Sequence, residues 1–101
     1  MDDVDVGLTH VALPVSDLDA SIDFYERYAS MSVVHRRGEH GDGVAWISDL
    51  TRPFVVVLLQ TEVTHRLGGW SHLGVGLRSR DEVDGRLADA RAKGLEVSGP
   101  H

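Results

Sequence analysis

Cysteine is absent from the 101-residue chain, and disulfides, thiolate metal sites and cysteine nucleophiles are excluded with it. Any metal ion would have to rest on imidazole, carboxylate or water. Basic runs are absent too. Ten Lys and Arg stand against sixteen Asp and Glu, a formal net charge of −6, which repels phosphate backbones and anionic lipid and argues against a nucleic-acid partner. Long apolar runs are also missing: the longest, Phe54 to Leu59, is far too short to cross a bilayer. The acidic start MDDVD lacks the positive region of a signal peptide. These absences set the expectation of a cytoplasmic protein without a membrane partner. What is present is ordinary for a globular chain, with 42% hydrophobic and 26% charged residues. The length allows one domain, with a core small enough that a partner subunit would help it.

From Gly7 to Val15 the residues alternate, Leu8, His10 and Ala12 on one side and Thr9, Val11, Leu13 and Val15 on the other, as in a strand with one aliphatic face. After Pro14-Val15-Ser16-Asp17, the residues Leu18, Ile22, Tyr25 and Ala29 recur at helical spacing, and Ser16 or Asp17 is available as a cap. Ser32–Arg37 and Val44–Ser48 are predicted strands joined across GEHGDG, whose glycines supply the positive φ of a tight connection. A fourth strand is predicted over Phe54–Gln60, valine-rich and opened by Pro53, as expected of a strand buried on both faces.

The polar stretch around Thr61 to Trp70, with its Gly pair, breaks the pattern and is predicted to be a linker. A second cycle then begins. His72, Gly74 and Gly76 alternate with Leu73, Val75 and Leu77; Ser79 and Glu82 form a capping box; Val83, Leu87 and Ala90 make an apolar stripe, and Gly94 is placed to stop the helix. Leu95–Val97 reads as the start of another strand. The chain is thus an internal repeat, with a first module over 7–60, a linker over 61–70 and an incomplete second module over 71–101.

Aligning the two cycles sets His10 on His72 in the same strand phase. The aliphatic side of each strand should pack on its own helix, which leaves the histidine side facing away from the helices. Neighbours on that side are small: Ala12 beside His10, and Gly74 and Gly76 beside His72. Two imidazoles over a hollow, in a chain without thiols, make half of a divalent-metal site; a strand histidine is otherwise an ordinary core or surface residue. His35, His40, His65 and His101 have no such match and read as surface or loop residues.

The strand T-H-V-A-L-P-V followed by S-D-L-D-A-S-I-D-F-Y-E-R-Y resembles the opening of the vicinal oxygen chelate superfamily, which includes glyoxalases, bleomycin-resistance proteins, fosfomycin-modifying enzymes and extradiol dioxygenases. The resemblance implies an α+β fold of paired βαβββ modules curled around a cavity, the second module incomplete here, and a homodimer. It also implies a divalent metal ion (Fe, Mn, Ni, Co or Zn), with His10 and His72 at the two first-strand ligand positions. The last strand of the first module often carries a glutamate in a segment like E-L-L-Q. This chain has Val57-Leu58-Leu59-Gln60 there, and a valine cannot donate to a cation. Strand alternation turns Gln60 away from the face of Val57. A second-module glutamate, in a segment like D-P-x-G-x-x-x-E, is expected beyond His101 and would complete a two-histidine, one-carboxylate site.

Trp46, Val57, Leu59 and Trp70 are candidate walls of an apolar small-molecule pocket, with core packing as their alternative role. Two functions follow as expectations: a metal-dependent enzyme, a lyase or dioxygenase acting on a small oxygen-bearing substrate, or a metal-free binding protein of the bleomycin-resistance type. Val57 favours the second and the paired histidines the first. An accessory subunit whose open sheet edge serves a partner is a third.

Overall fold

The computed structural model describes residues 7–38, 43–65 and 69–99. The centre of the GEHGDG connection, with His40, and the C-terminal Pro100 and His101 lie outside the described residues. The chain divides into two compact units, Met1–Leu67 and Gly68–His101.

In the first unit, strand β1 (His10–Val15) leads into helix α1 (Leu18–Ala29), followed by β2 (Ser32–Arg37), β3 (Val44–Ser48) and β4 (Val55–Gln60). The strands form one mixed sheet in the order β1-β4-β3-β2. β2, β3 and β4 are a meander of antiparallel pairs, and β4 returns parallel to β1, His10 opposite Val55 and Val15 opposite Gln60. This βαβββ unit is α+β in class.

Local chemistry sets the ends of α1. Asp17, in extended conformation, accepts a hydrogen bond from the Ala20 amide at its carboxylate (3.1 Å), the N-cap arrangement that satisfies one of the orphan helix donors. A second orphan, the Leu18 amide, donates to Oε1 of Gln60 on β4 (2.9 Å). At the other end Ser30 adopts the left-handed φ of 55°, and Met31 N–H bonds back to the Tyr25 carbonyl, which ends the helix.

One face of the sheet carries the core. Leu18 and Ile22 of α1 pack with Ala45 and Ile47 of β3 and Val56 and Leu58 of β4, and Val11, Leu13 and Val15 of β1 border them. The aliphatic side of β1 therefore faces its helix, as its alternation required. Gly43 lets the β3 entrance close on this core: a Cβ there would sit 2.9 Å from Leu18 Cδ2. Burial also pushes the Tyr25 phenol above its usual pKa.

The second unit contains α2 (Arg80–Ala92). Ser79 Oγ accepts from the Glu82 amide (3.2 Å), while the Glu82 carboxylate reaches back past Ser79 to the Arg78 amide (3.2 Å) and guanidinium (2.8 Å). The capping box thus closes one residue early. Gly94 (φ 79°) ends the helix, with the Leu95 amide on the Ala90 carbonyl (3.0 Å).

Residues 71–77 and 95–97 differ from expectation, since neither forms a strand. The alternation of 72–77 describes which way side chains point, but a strand is completed by a neighbour that takes its N–H and C=O groups. Among the described residues no ladder reaches these segments, and Gly74 and Gly76 add backbone freedom that opposes extension. All strands of the described residues belong to the first unit. No helix among them is long and apolar enough to cross a membrane.

Candidate functional site

The sheet face opposite α1 is laid out by register. Directly paired residues share a face, so three transverse rows can be followed, two of them across all four strands. The first holds His10 and Val55; the second Ala12, Val57, Trp46 and His35; the third Pro14, Leu59, Val44 and Arg37. The middle is apolar, and polar groups stand at the two edge strands. Val57 is buried at 8% exposure, and Trp46 and Leu59 are half-buried.

His10 lies on this helix-free face at the start of β1, exposed, with Nδ1 2.9 Å from Thr9 Oγ1. Of the six proposed site residues, His10, Trp46, Val57 and Leu59 are thus on one surface. His72 and Trp70 belong to the second unit. His72 is exposed, and its Nδ1 is 2.7 Å from the Trp70 carbonyl oxygen. A carbonyl only accepts, so Nδ1 carries the proton and the lone pair resides on Nε2. This is the tautomer in which a histidine ligates through Nε2, the backbone partner fixing its ring. The Trp70 ring itself is 95% exposed, so Trp70 touches His72 through its carbonyl and not through its indole.

The donor set fits imidazole ligation and does not fit four ligands drawn from these strands. The Val57 side chain stands between Ala12 and Trp46, where a carboxylate would otherwise project. Gln60 cannot replace it, because its Oε1 is engaged by the Leu18 amide on the helix side. Within neither unit do three or more His, Asp or Glu side chains gather as a metal-binding group among the described residues.

Two residues of this face were not among the sequence candidates: His35, read as a surface or loop residue, and Arg37. Strict alternation from Ser32 would place Val34 opposite Trp46 and turn His35 and Arg37 toward the helix side. The register instead shifts between Val33 and His35, an extra residue at Val34 that reverses the phase of everything after it. His35 then pairs with Trp46, the rings 4.8 Å apart at 52°. The Arg37 guanidinium lies 5.1 Å from the Trp46 ring centre. Arg36 goes to the other side, where it forms an ion pair with Asp19 of α1 (2.8 Å). Only an unreadable bulge separates these outcomes.

Comparison with known proteins places this arrangement. An uncharacterized protein of Pseudomonas aeruginosa, PA2024, is 38% identical over 97 residues, covering 92% of this chain and 69% of that protein. Among solved structures, a possible glyoxalase from Bacillus cereus superposes with a TM-score of 0.79 at 24% identity, over 96% of this chain and 82% of the other. The fosfomycin resistance protein FosX of Listeria monocytogenes, in a complex with Mn(II) and 1S,2S-dihydroxypropylphosphonic acid, gives 0.74 at 17% identity, over 95% and 75%. Glyoxalase I of Leishmania major gives 0.69 at 20%, over 96% and 73%. At these identities the solved structures share the fold. Residues 7–101 match the family model of the Glyoxalase/Bleomycin resistance protein/Dioxygenase superfamily, and the chain belongs to that superfamily.

Proposed function

We propose that the protein is a divalent-metal-dependent enzyme of this superfamily, in which His10 and His72 hold the ion and the apolar face of β4 and β3 holds a small oxygen-bearing substrate. The observation that carries the reading is the state of the histidines. His10 stands on the open face beside the small Ala12, and His72 is locked by the Trp70 carbonyl with its Nε2 lone pair available. A carboxylate from elsewhere in the protein would complete a two-histidine, one-carboxylate set with open positions. The ion, when bound, supplies Lewis acidity toward a substrate presenting two adjacent oxygens.

The chain's own residues bind and orient. Val57, Leu59 and Val44 exclude water from the centre of the face, and Trp46 offers a flat wall to the substrate body. Thr9 Oγ1 sits within hydrogen-bond reach of His10 Nδ1 and restrains ring rotation, as the Trp70 carbonyl does for His72. The likeness in fold to a FosX that holds Mn(II) supports the metal, and the substrate's chemistry sets whether the reaction is that of a lyase or a dioxygenase.

A second reading has its own support. Val57 is an aliphatic, buried side chain at the position where relatives with a glutamate-bearing strand would ligate, and it favours a metal-free binding protein on the same apolar face. Metal analysis of protein purified without chelators separates the two. The enzyme reading expects about one divalent ion per chain, lost in His10→Ala and in His72→Ala. Absence of metal after loading with Fe, Mn, Ni, Co and Zn in turn, with small apolar ligands still bound, establishes the second.

A further inference from the structure

The two adjacent arginines of β2 have opposite fates. Arg36 is neutralised by Asp19 on the helix side. Arg37 is on the open face, where it stacks over Trp46 and has no carboxylate partner among the described residues. Arg37 thus puts a positive charge at the edge of an apolar surface in a chain of net charge −6. The stacking restrains the long side chain before any ligand arrives, which lowers the entropy cost of using it. A planar guanidinium presents parallel N–H donors suited to a two-oxygen anion. His35, stacked on the same indole, adds a second polar group at that edge.

We propose that Arg37 is a specificity-determining residue, and that the ligand of this face is a small amphipathic anion. Its apolar body lies along Trp46, Val57 and Leu59, and its carboxylate or phosphonate end is held by Arg37. The inference deepens the reading of this face as a small-molecule site and rests on it. His10 and Arg37 occupy opposite edge strands, three strands apart across the sheet and two rows apart along it, roughly 19 Å between backbones, so the anion-binding group stands well apart from the proposed metal-binding imidazole. Charge selection is thereby separated from chelation.

The test uses the full chain after chelator treatment and three ligands that do not depend on a metal: 3-phenylpropanoate, its primary amide, and 2-phenylethylphosphonate. Binding is followed through the Trp46 indole N–H resonance. Both anions are expected to bind about tenfold or more tightly than the amide, the range of one charge-assisted hydrogen-bonding group, and the preference should shrink with added salt. A stronger response to one anion identifies the headgroup. Arg37→Gln is expected to abolish the preference for the anions over the amide; Arg37→Lys should restore part of it. Equal binding of anions and amide, a preference that survives Arg37→Gln, or no shift of the Trp46 resonance with any ligand overturns the proposal. Metal content, measured on the same proteins before chelator treatment, is independent of these outcomes. Charge selection without metal would leave the anion site standing and sink the metal reading, and metal without charge selection would do the reverse.

Discussion

Replacing Gln60 by methionine tests how the helix and the sheet are joined beneath the site. The Gln60 side chain leaves β4 on the helix side and accepts the Leu18 amide at 2.9 Å. Methionine has nearly the same length and shape but no oxygen. The Leu18 amide is the first donor of α1 and has no intrahelical acceptor. It is partly buried, beside a side chain only 1% exposed, so water cannot fully replace the lost partner. Leaving such a donor unsatisfied costs about 1–2 kcal/mol. With a urea slope of about 1–3 kcal/mol per molar, the unfolding midpoint should fall by roughly 0.3–2 M. The loss is readable from Trp46 emission, because the 95% exposed Trp70 already emits from water in the folded state. Gln60→Glu, which keeps an acceptor at the same reach and at a helix N-terminus, should recover most of the loss at neutral pH. A midpoint for Gln60→Met within 0.2 M of the parent would refute the reasoning. Because Gln60 is committed to this bond, Gln60→Met should also leave any metal content unchanged.

Other expectations concern packing and charge. Gly43→Ala places a Cβ 2.9 Å from the buried Leu18 Cδ2, and overpacking of this kind costs about 1–3 kcal/mol; an unchanged urea midpoint would show that Leu18 can yield. The Arg78 side chain, then the Arg78 amide, hold the Glu82 carboxyl below its ordinary pKa. With a lowered folded value, the stabilisation is present above the ordinary carboxylate pKa and is lost as pH falls through the lowered one. An NMR titration of the Glu82 carboxyl carbon should therefore show a depressed midpoint that Arg78→Ala raises, and the same midpoint in both proteins would contradict the assignment. At the β3–β4 turn the Thr51 hydroxyl and amide lower Asp49 in the same way, so Thr51→Ala should raise its titration midpoint.

Much of the first unit was legible because its elements announce themselves locally. β2 and β3 have the bounds expected from alternation, β4 begins one residue later than predicted, and the cap falls on Asp17, one of the two candidates; in the second unit the Gly94 stop follows from residue type. The opposite facing of Val57 and Gln60 is also a consequence of period two, and it holds. What alternation cannot carry is register between strands distant in sequence. Val34 looks like any strand valine, yet as the extra residue of a bulge it sends His35 and Arg37 to the open face and Arg36 to Asp19. The segment 72–77 shows the converse. Its side-chain phase copies that of β1, but phase provides no hydrogen-bonding partner, and without one among the described residues it is not a strand. The candidate histidines were visible as residues; the partner of His72, a carbonyl two residues back, is a matter of backbone path that the sequence does not encode locally.

The central claim is that one imidazole from each half serves a single ion, and a double-mutant cycle on metal affinity tests it most directly. Mn(II) binding would be measured by isothermal titration for the parent, His10→Ala, His72→Ala and the double variant. If both rings hold the same ion, the first substitution removes a ligand together with the chelate advantage, so the second costs less and the losses are strongly non-additive. Losses that simply add, or an affinity indifferent to either histidine, would contradict it.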